Sequence, residues 1–277
     1  MSAMRRVISL VLVHGFLLSG AAFVLMPFVW MLVTSLKPPD EIFSATLRLW
    51  PHHFSAVENY RLALTSAPLL RFALNGLIVC AGVLLVQLLV AIPCAYALAK
   101  LRFPGRNLLF VLTLLALAIP VQVPALPLYI ALAKIGLLNT YFSLMLPFFL
   151  SVFAIFLLRQ FFKGFPDDII HAARLDGMSE FEIVWRIVAP SAWPAIAAFA
   201  VFSFVAHWND LYWPLIVISD ANLATPPLGM LFFADAETGS NYGALTAAAT
   251  ILTAPLVIAF LLARRQFIAG ITMTGVK

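Results

Sequence analysis

The residues best suited to chemistry lie in one stretch, His171-Ala-Ala-Arg-Leu-Asp-Gly-Met-Ser-Glu-Phe-Glu-Ile-Val-Trp-Arg-Ile-Val-Ala-Pro190. The chemistry is non-covalent. Pro166-Asp-Asp-Ile-Ile-His-Ala-Ala-Arg-Leu175 predicts a short helix, with an aspartate near its start accepting hydrogen bonds from free amides. Gly177 can end that helix by taking a left-handed conformation. Ser179, with Glu182 three residues on, predicts a capping box and a second helix. Phe181, Val184, Trp185 and Val188 then give an apolar face at helical spacing, and Pro190 and Pro194 disturb its far end. Such a knuckle either fits a recess on another subunit or lies as an amphipathic pair on lipid. His171, Ala172, Ala173, Asp176, Gly177, Ser179 and Glu182 are its candidate contact residues.

A second kind of chemistry is hydrogen bonding to a hydroxyl-rich solute. Asn75, Gln87, Gln122, Asn209 and Asn241 could supply it in a hydrated cavity, or each could join helices. Gln122 is the strongest candidate, because Pro120, Pro124 and Pro127 predict a break whose carbonyls must line a cavity or find partners in the protein. Catalytic chemistry is not expected. The sequence has no Gly-x-x-x-x-Gly-Lys-Ser/Thr phosphate loop and no convincing Ser-His-Asp or metal-ligand constellation. His52 and His53 are adjacent, unlike the facing pair of a helical metal site. Cys80 and Cys94 share one apolar run, as packing residues do. No cofactor or metal is expected on this chain.

The elements that position these residues follow from composition. Hydrophobic residues make up 63% of the chain and charged residues 10%, with a mean hydropathy of +1.02; soluble domains carry about 25% charged residues. Charge-free runs extend over Val7–Leu36, Phe72–Ala99, Asn107–Ala133, Ile135–Leu158, Ile187–Asn209 and Thr238–Ala263. Each could contain the roughly 20 residues a helix needs to cross a bilayer. The expectation is an all-α polytopic protein with six transmembrane helices. Arg5 and Arg6 precede an apolar run too long for a secretory signal core, so the first helix is expected to be retained.

With the N-terminus inside, twelve Lys and Arg flank the cytoplasmic ends and five the outer ones, which satisfies the positive-inside bias. Both termini then face the cytoplasm. Residues 1–277 read as a single transmembrane domain with an external loop over 34–71, a cytoplasmic loop over 159–191 and a second external loop over 210–240. The first external loop is proline-rich, with a short helix expected around Val57–Leu64. Past Asn209 the outer face is acidic; Trp208, Tyr212 and Trp213 suit an interfacial belt, and Trp208-Asn-Asp210 could also contact a ligand or partner. The modest positive charge follows from this asymmetry, so nucleic acid is not an expected partner.

At the His171–Pro190 stretch the chain resembles the membrane subunits of binding-protein-dependent ATP-binding-cassette importers, in the maltose-permease-G-like branch for sugars and polyols. The family signature of Glu-Ala-Ala, three residues and Gly appears as His171-Ala172-Ala173-Arg174-Leu175-Asp176-Gly177, with Ile187 and Pro190 downstream. The likeness extends to Ser35-Leu-Lys-Pro-Pro-Asp-Glu-Ile-Phe43, Glu58-Asn-Tyr60, Trp208-Asn209, Pro214-Leu215 and the terminal Gly270–Lys277. His171 stands where the family usually has glutamate, so a carboxylate contact with an ATPase does not carry over.

The resemblance implies the type I importer permease fold in a bacterial or archaeal cytoplasmic membrane. It also implies partners: a homologous second permease subunit, two cytoplasmic ATPase subunits that use ATP and Mg, an external solute-binding protein, and membrane lipid. The Ala-Ala-Gly segment would be the coupling helix, and the solute would cross unmodified by alternating access. A proton- or ion-coupled carrier is the alternative, although the apolar runs contain no Asp, Glu, Lys or Arg to relay an ion. A static membrane scaffold is the third reading.

Overall fold

A computed structural model describes residues 3–43, 49–120, 122–236 and 241–273, with side chains over 9–43, 49–120, 122–234 and 241–262. The described residues form helices and connecting turns, with no strand among them. In hydrocarbon an α-helix satisfies its own backbone, so the apolar runs have little other choice.

Among the described residues three helices are long and apolar enough to cross a membrane: Ser9–Thr34, Leu69–Lys100 and Tyr242–Leu262. Two further helix pairs are long and apolar enough only when joined, and each is bent at its break. Tyr141–Phe148 and Val152–Lys163 meet at 47°, and Glu180–Ser191 and Trp193–Trp208 at 79°. The first bend follows from Pro147 in a tight 3₁₀ turn, after which Ser151 restarts the helix by accepting a hydrogen bond from the Ala154 amide at 3.1 Å.

The run over Asn107–Ala133 breaks where its prolines predict. It divides into Arg106–Ala116 and Ala125–Lys134, each shorter than a crossing. Proline lacks the amide that would carry a helix through 120–124. Local bonds take up part of the freed backbone, with the Val123 amide on the Pro120 carbonyl at 3.0 Å and the Ala125 amide on the Gln122 carbonyl at 3.2 Å. The last helix, Tyr242–Met273, outruns the charge-free run that predicts it; Thr238, where that run begins, lies outside the described residues, as do Glu237 and the terminal residues 274–277.

The chain falls into two compact units, residues 1–69 with 230–253 and residues 70–229 with 254–277. In the first, the helix Ala56–Ser66 covers the expected Val57–Leu64. Asn59 fixes this loop: its buried amide donates to the carbonyls of Ser35 at 3.0 Å and Lys37 at 2.9 Å. Gly243 packs against it so closely that a Cβ there would lie 2.6 Å from the Asn59 amide. Glu41 accepts the backbone amides of His52 and His53 at 2.9 and 3.1 Å, which pulls its carboxyl below the ordinary range. The adjacent histidines therefore serve the loop through their backbone.

The second unit holds one large core. Ala91, Ile92, Ala95, Tyr96 and Leu98 of the Leu69–Lys100 helix meet Ile155, Leu158 and Phe162 of the Val152–Lys163 helix. Ile196 and Phe199 close it on one side, and Ile170, Ala173, Ile183, Val184 and Val188 of the knuckle on the other. Apolar burial at the knuckle's underside, roughly 1.5–3 kcal/mol for a side chain such as Ile or Val, seats it on the membrane helices.

Candidate functional site

The knuckle is built as its residues dictate at the turn. The helix Asp167–Leu175 ends at Asp176, and Gly177 follows with φ +80. The Gly177 amide donates to the Arg174 carbonyl at 3.1 Å and the Met178 amide to the Ala173 carbonyl at 3.0 Å. These paired bonds form a Schellman turn, which closes the helix only if the residue after the cap is left-handed. Ser179 then starts the helix Glu180–Ile183. Its hydroxyl accepts the Glu182 amide at 3.3 Å while the Glu182 carboxylate accepts the Ser179 amide at 3.1 Å, the reciprocal capping box. Those bonds and Arg186 at 3.3 Å hold the Glu182 carboxyl below its ordinary value.

Two expectations about the knuckle change. Pro166, without a side-chain bond, caps the Asp167–Leu175 helix. Asp167 instead gives its carboxylate to Lys100, at 2.6 Å. The apolar face of the second helix is also displaced. Val184 and Val188 are buried as expected and Ile183 joins them, whereas Phe181 is 71% exposed, its ring tilted against Trp185 at 6.2 Å between centroids. The reason is a π-helical turn over Val184–Val188, whose wider pitch shifts the side chains out of the 3.6-residue phase.

The knuckle's outer tip is unexpectedly apolar. Leu175 is 89% exposed, and Phe181, His171, Ala172, Asp176 and Gly177 are exposed too. Ala173, the second alanine, is buried. His171 Nδ1 lies 3.4 Å from Arg174 Nη1.

Sequence reasoning missed what fastens this tip to the membrane helices. The Tyr96 hydroxyl donates to Glu180 Oε2 at 2.6 Å, and Arg174 Nε donates to Glu180 Oε1 at 2.6 Å. Arg174 is the main cause that lowers the Glu180 carboxyl, against the opposing effect of burial. Nearby, Lys100 Nζ donates both to Asp167 and to the Phe165 carbonyl, each at 2.6 Å, with its side chain only 7% exposed. The Lys100 hydrogen bond lowers the Asp167 carboxyl. Tyr96 and Lys100 thus grip one half of the knuckle each, four residues apart on one helix face.

The candidate path residues separate into two groups. Asn75 is buried, donating to the carbonyls of Asn222 and Ala224 at 2.9 Å each and accepting the Tyr141 hydroxyl at 2.6 Å. Gln87, also buried, donates to the Phe148 carbonyl at 2.8 Å, accepts Ser203 at 2.7 Å and lies 3.3 Å from the His207 ring. Asn241 accepts the Ala244 amide at the start of the last helix. Asn209 is exposed and bonds back to the Val205 carbonyl at 2.8 Å.

Gln122 is exposed in the helix break and lines a cavity of about 170 Å³ with Pro124, Pro147, Phe148, Asp210, Tyr212 and Trp213. Asp210, which the sequence offered as a ligand or partner contact, accepts the Trp213 amide there, and burial pushes its carboxyl above the ordinary value. Amide, carboxyl and aromatic groups around one recess suit a hydroxylated solute. Among the described residues no cluster of His, Cys, Asp or Glu could hold a metal ion.

The family described as "Binding-protein-dependent transport system inner membrane component" matches residues 87–272. The diacetylchitobiose uptake system permease protein NgcG of Streptomyces coelicolor is 34% identical over 265 residues, covering 95% of this chain and 87% of that protein. The arabinooligosaccharides transport system permease protein AraQ of Bacillus subtilis is 32% identical, covering 91% and 90%. The sn-glycerol-3-phosphate transport system permease protein UgpE of Escherichia coli is 32% identical, covering 93% and 94%. In fold, the chain matches one in a crystal structure of a bacterial ABC transporter involved in alginate import, with a TM-score of 0.82, 20% identity and coverage of 96% and 99%.

Proposed function

Because the chain belongs to the family of binding-protein-dependent transport system inner membrane components, we propose that its knuckle is the coupling element through which a separate ATPase subunit drives import of a carbohydrate-like solute. The chain is a multi-pass membrane permease. In the proposed cycle it moves the solute unmodified, while two ATPase subunits bind ATP and Mg on the cytoplasmic side. A homologous second permease completes the path, and an external binding protein delivers the solute. The setting is the cytoplasmic membrane of a bacterium or archaeon, with six crossings, of which the fifth begins beyond the knuckle.

The observation that carries this reading is the contrast between the knuckle's two faces. Its underside is buried against membrane helices and fastened through Tyr96 and Lys100, while Leu175 and Phe181 project outward. An exposed apolar tip on a rigid base is a docking anchor. Closure of a partner around that tip would move the Leu69–Lys100 and Val152–Lys163 helices together, because interfaces so packed switch rather than deform. The ordinary glutamate contact is replaced at His171, so apolar seating of Leu175 and Phe181 carries the docking here. Family membership supports neither an ion-coupled carrier nor a static scaffold.

For the solute path we propose Gln122 and Asp210, with Asn209 at its rim and Asn75 and Gln87 as supports of the surrounding helices. The relatives' substrates suggest the probes: diacetylchitobiose, arabinooligosaccharides and sn-glycerol 3-phosphate. Uptake is measured in vesicles containing this chain, the paired permease and the ATPase, with the cognate binding protein outside. Accumulation of a labelled probe that requires ATP inside and the binding protein outside supports the reading. Equal uptake without ATP rejects it.

A further inference from the structure

A cavity of about 610 Å³ opens where the Leu69–Lys100 helix ends, lined by Lys100, Arg102, Arg106, Lys163, His171 and Arg174 among others. Asp167 is the only carboxylate in the lining, and it is committed to Lys100. Arg174 is matched by Glu180 outside the cavity, and Arg106 donates to the Leu101 carbonyl at 3.0 Å. Among the described residues neither Arg102 nor Lys163 has a carboxylate within salt-bridge distance, although Arg102 acts on Asp167 from farther away. The basin therefore carries an excess of positive charge that an anion from outside the described chain could offset.

The surroundings say what kind of anion fits. Arg102 and Arg106 also line an adjoining recess of about 320 Å³ that reaches Asn107 and Leu108. From there the Arg106–Ala116 helix carries exposed Leu108, Leu112 and Leu115 along one face. A cationic recess continued by an apolar strip, at the end of a membrane-crossing helix, matches a molecule with an anionic head and a hydrocarbon tail. A free phosphate or an acidic protein segment would leave the strip unused.

We propose that this basin binds the phosphate headgroup of an anionic lipid, with an acyl chain along Leu108, Leu112 and Leu115. The bound headgroup bridges Arg102, which follows the Leu69–Lys100 helix, and Lys163, which ends the Val152–Lys163 helix, and braces the knuckle on its membrane helices. The site requires that the Leu69–Lys100 helix cross the membrane; it does not require that the knuckle dock an ATPase.

The test uses the intact purified permease complex, incubated in detergent with phosphatidylglycerol and phosphatidylcholine in equal amounts. Retained lipids are counted by native mass spectrometry. The unmodified complex retains phosphatidylglycerol preferentially. Arg102→Gln with Lys163→Gln weakens that preference by about tenfold to thirtyfold, the size expected for two basic side chains at an anionic surface. Arg102→Lys with Lys163→Arg keeps most of it, which also shows that the exposed positions tolerate change.

An unchanged preference in the glutamine variant overturns the proposal. Displacement of the lipid by an equal concentration of inorganic phosphate overturns it too, in favour of a soluble anion. If the glutamine variant loses the ATPase subunit even in pure phosphatidylcholine, the basin seats an acidic protein segment and the lipid assignment fails. Lipid retention is read without transport or ATP, so failure of the coupling reading leaves the result interpretable.

Discussion

Tyr96, four residues before the end of a membrane-crossing helix, donates its hydroxyl hydrogen to Glu180 of the surface knuckle at 2.6 Å. The other Glu180 oxygen takes Arg174 from the first knuckle helix. One carboxylate therefore joins three segments, and a push on the knuckle reaches the membrane helix through it. A hydrogen bond to a charged group contributes about 1.5–3 kcal/mol. Tyr96→Phe keeps the ring in the core and removes only this link. We expect normal membrane levels and complex assembly, with stimulation of the ATPase by the binding protein reduced about threefold to tenfold. Unchanged stimulation in reconstituted complex would remove Tyr96 from the coupling route.

At Gly177 nothing lies within 4 Å of where a Cβ would stand, yet φ is +80. Only backbone strain opposes a side chain there, and it depends on the residue. Asparagine enters the left-handed region readily and β-branched residues do not. Gly177→Asn should therefore couple nearly normally, and Gly177→Val should lose most coupling while the protein still inserts. Equal activity in both variants, measured as ATP-dependent uptake, would show that the turn is not required.

Asp167, Glu180 and Glu182 all have carboxyls lowered in the folded chain: Asp167 by Lys100, Glu180 chiefly by Arg174, Glu182 chiefly by the Ser179 amide. Their stabilisation is complete above the unfolded value of about 4 and is lost as pH falls through the lowered native values. Amide exchange of residues 172–183, corrected for intrinsic rate, should be flat from pH 7 to pH 5 and rise only below about pH 4. Loss of protection between pH 7 and pH 5.5 would mean that other groups hold the knuckle.

Asn75 and Gln122 should behave oppositely. Asn75→Ala deprives two carbonyls and the Tyr141 hydroxyl of their partner, at about 1–3 kcal/mol, so it lowers thermal stability and the yield of folded protein. Gln122→Ala touches only the cavity rim and leaves stability unchanged while reducing solute uptake severalfold. A thermal-shift assay beside initial uptake rates decides both. Reduced stability with Gln122→Ala and none with Asn75→Ala would reverse their roles.

Much of the knuckle was legible because its signals are local. Gly177, Ser179 and Glu182 act within a few residues of one another, and their roles follow from backbone geometry alone. The links that anchor it were hidden for the opposite reason: Tyr96 meets Glu180 and Lys100 meets Asp167 only after distant helices pack. The face carrying Phe181 was misplaced because a π-helical turn over Val184–Val188 breaks the helical period on which the expectation rested. In the third apolar run, the absence of charge from Asn107 to Ala133 marked lipid compatibility. It did not mark continuity, which Pro120 and Pro124 interrupt.

The most direct measurement replaces the two exposed apolar side chains at the tip. Leu175→Asp with Phe181→Asp leaves the buried Ile170, Ile183, Val184 and Val188 in place, so the permease should still insert and assemble with its paired subunit. If Leu175 and Phe181 seat in the ATPase, quantitative co-purification will show the ATPase subunit lost from the variant complex by at least tenfold, and ATP-dependent uptake will disappear with it. Full retention of the ATPase with normal uptake would contradict the coupling role of the knuckle.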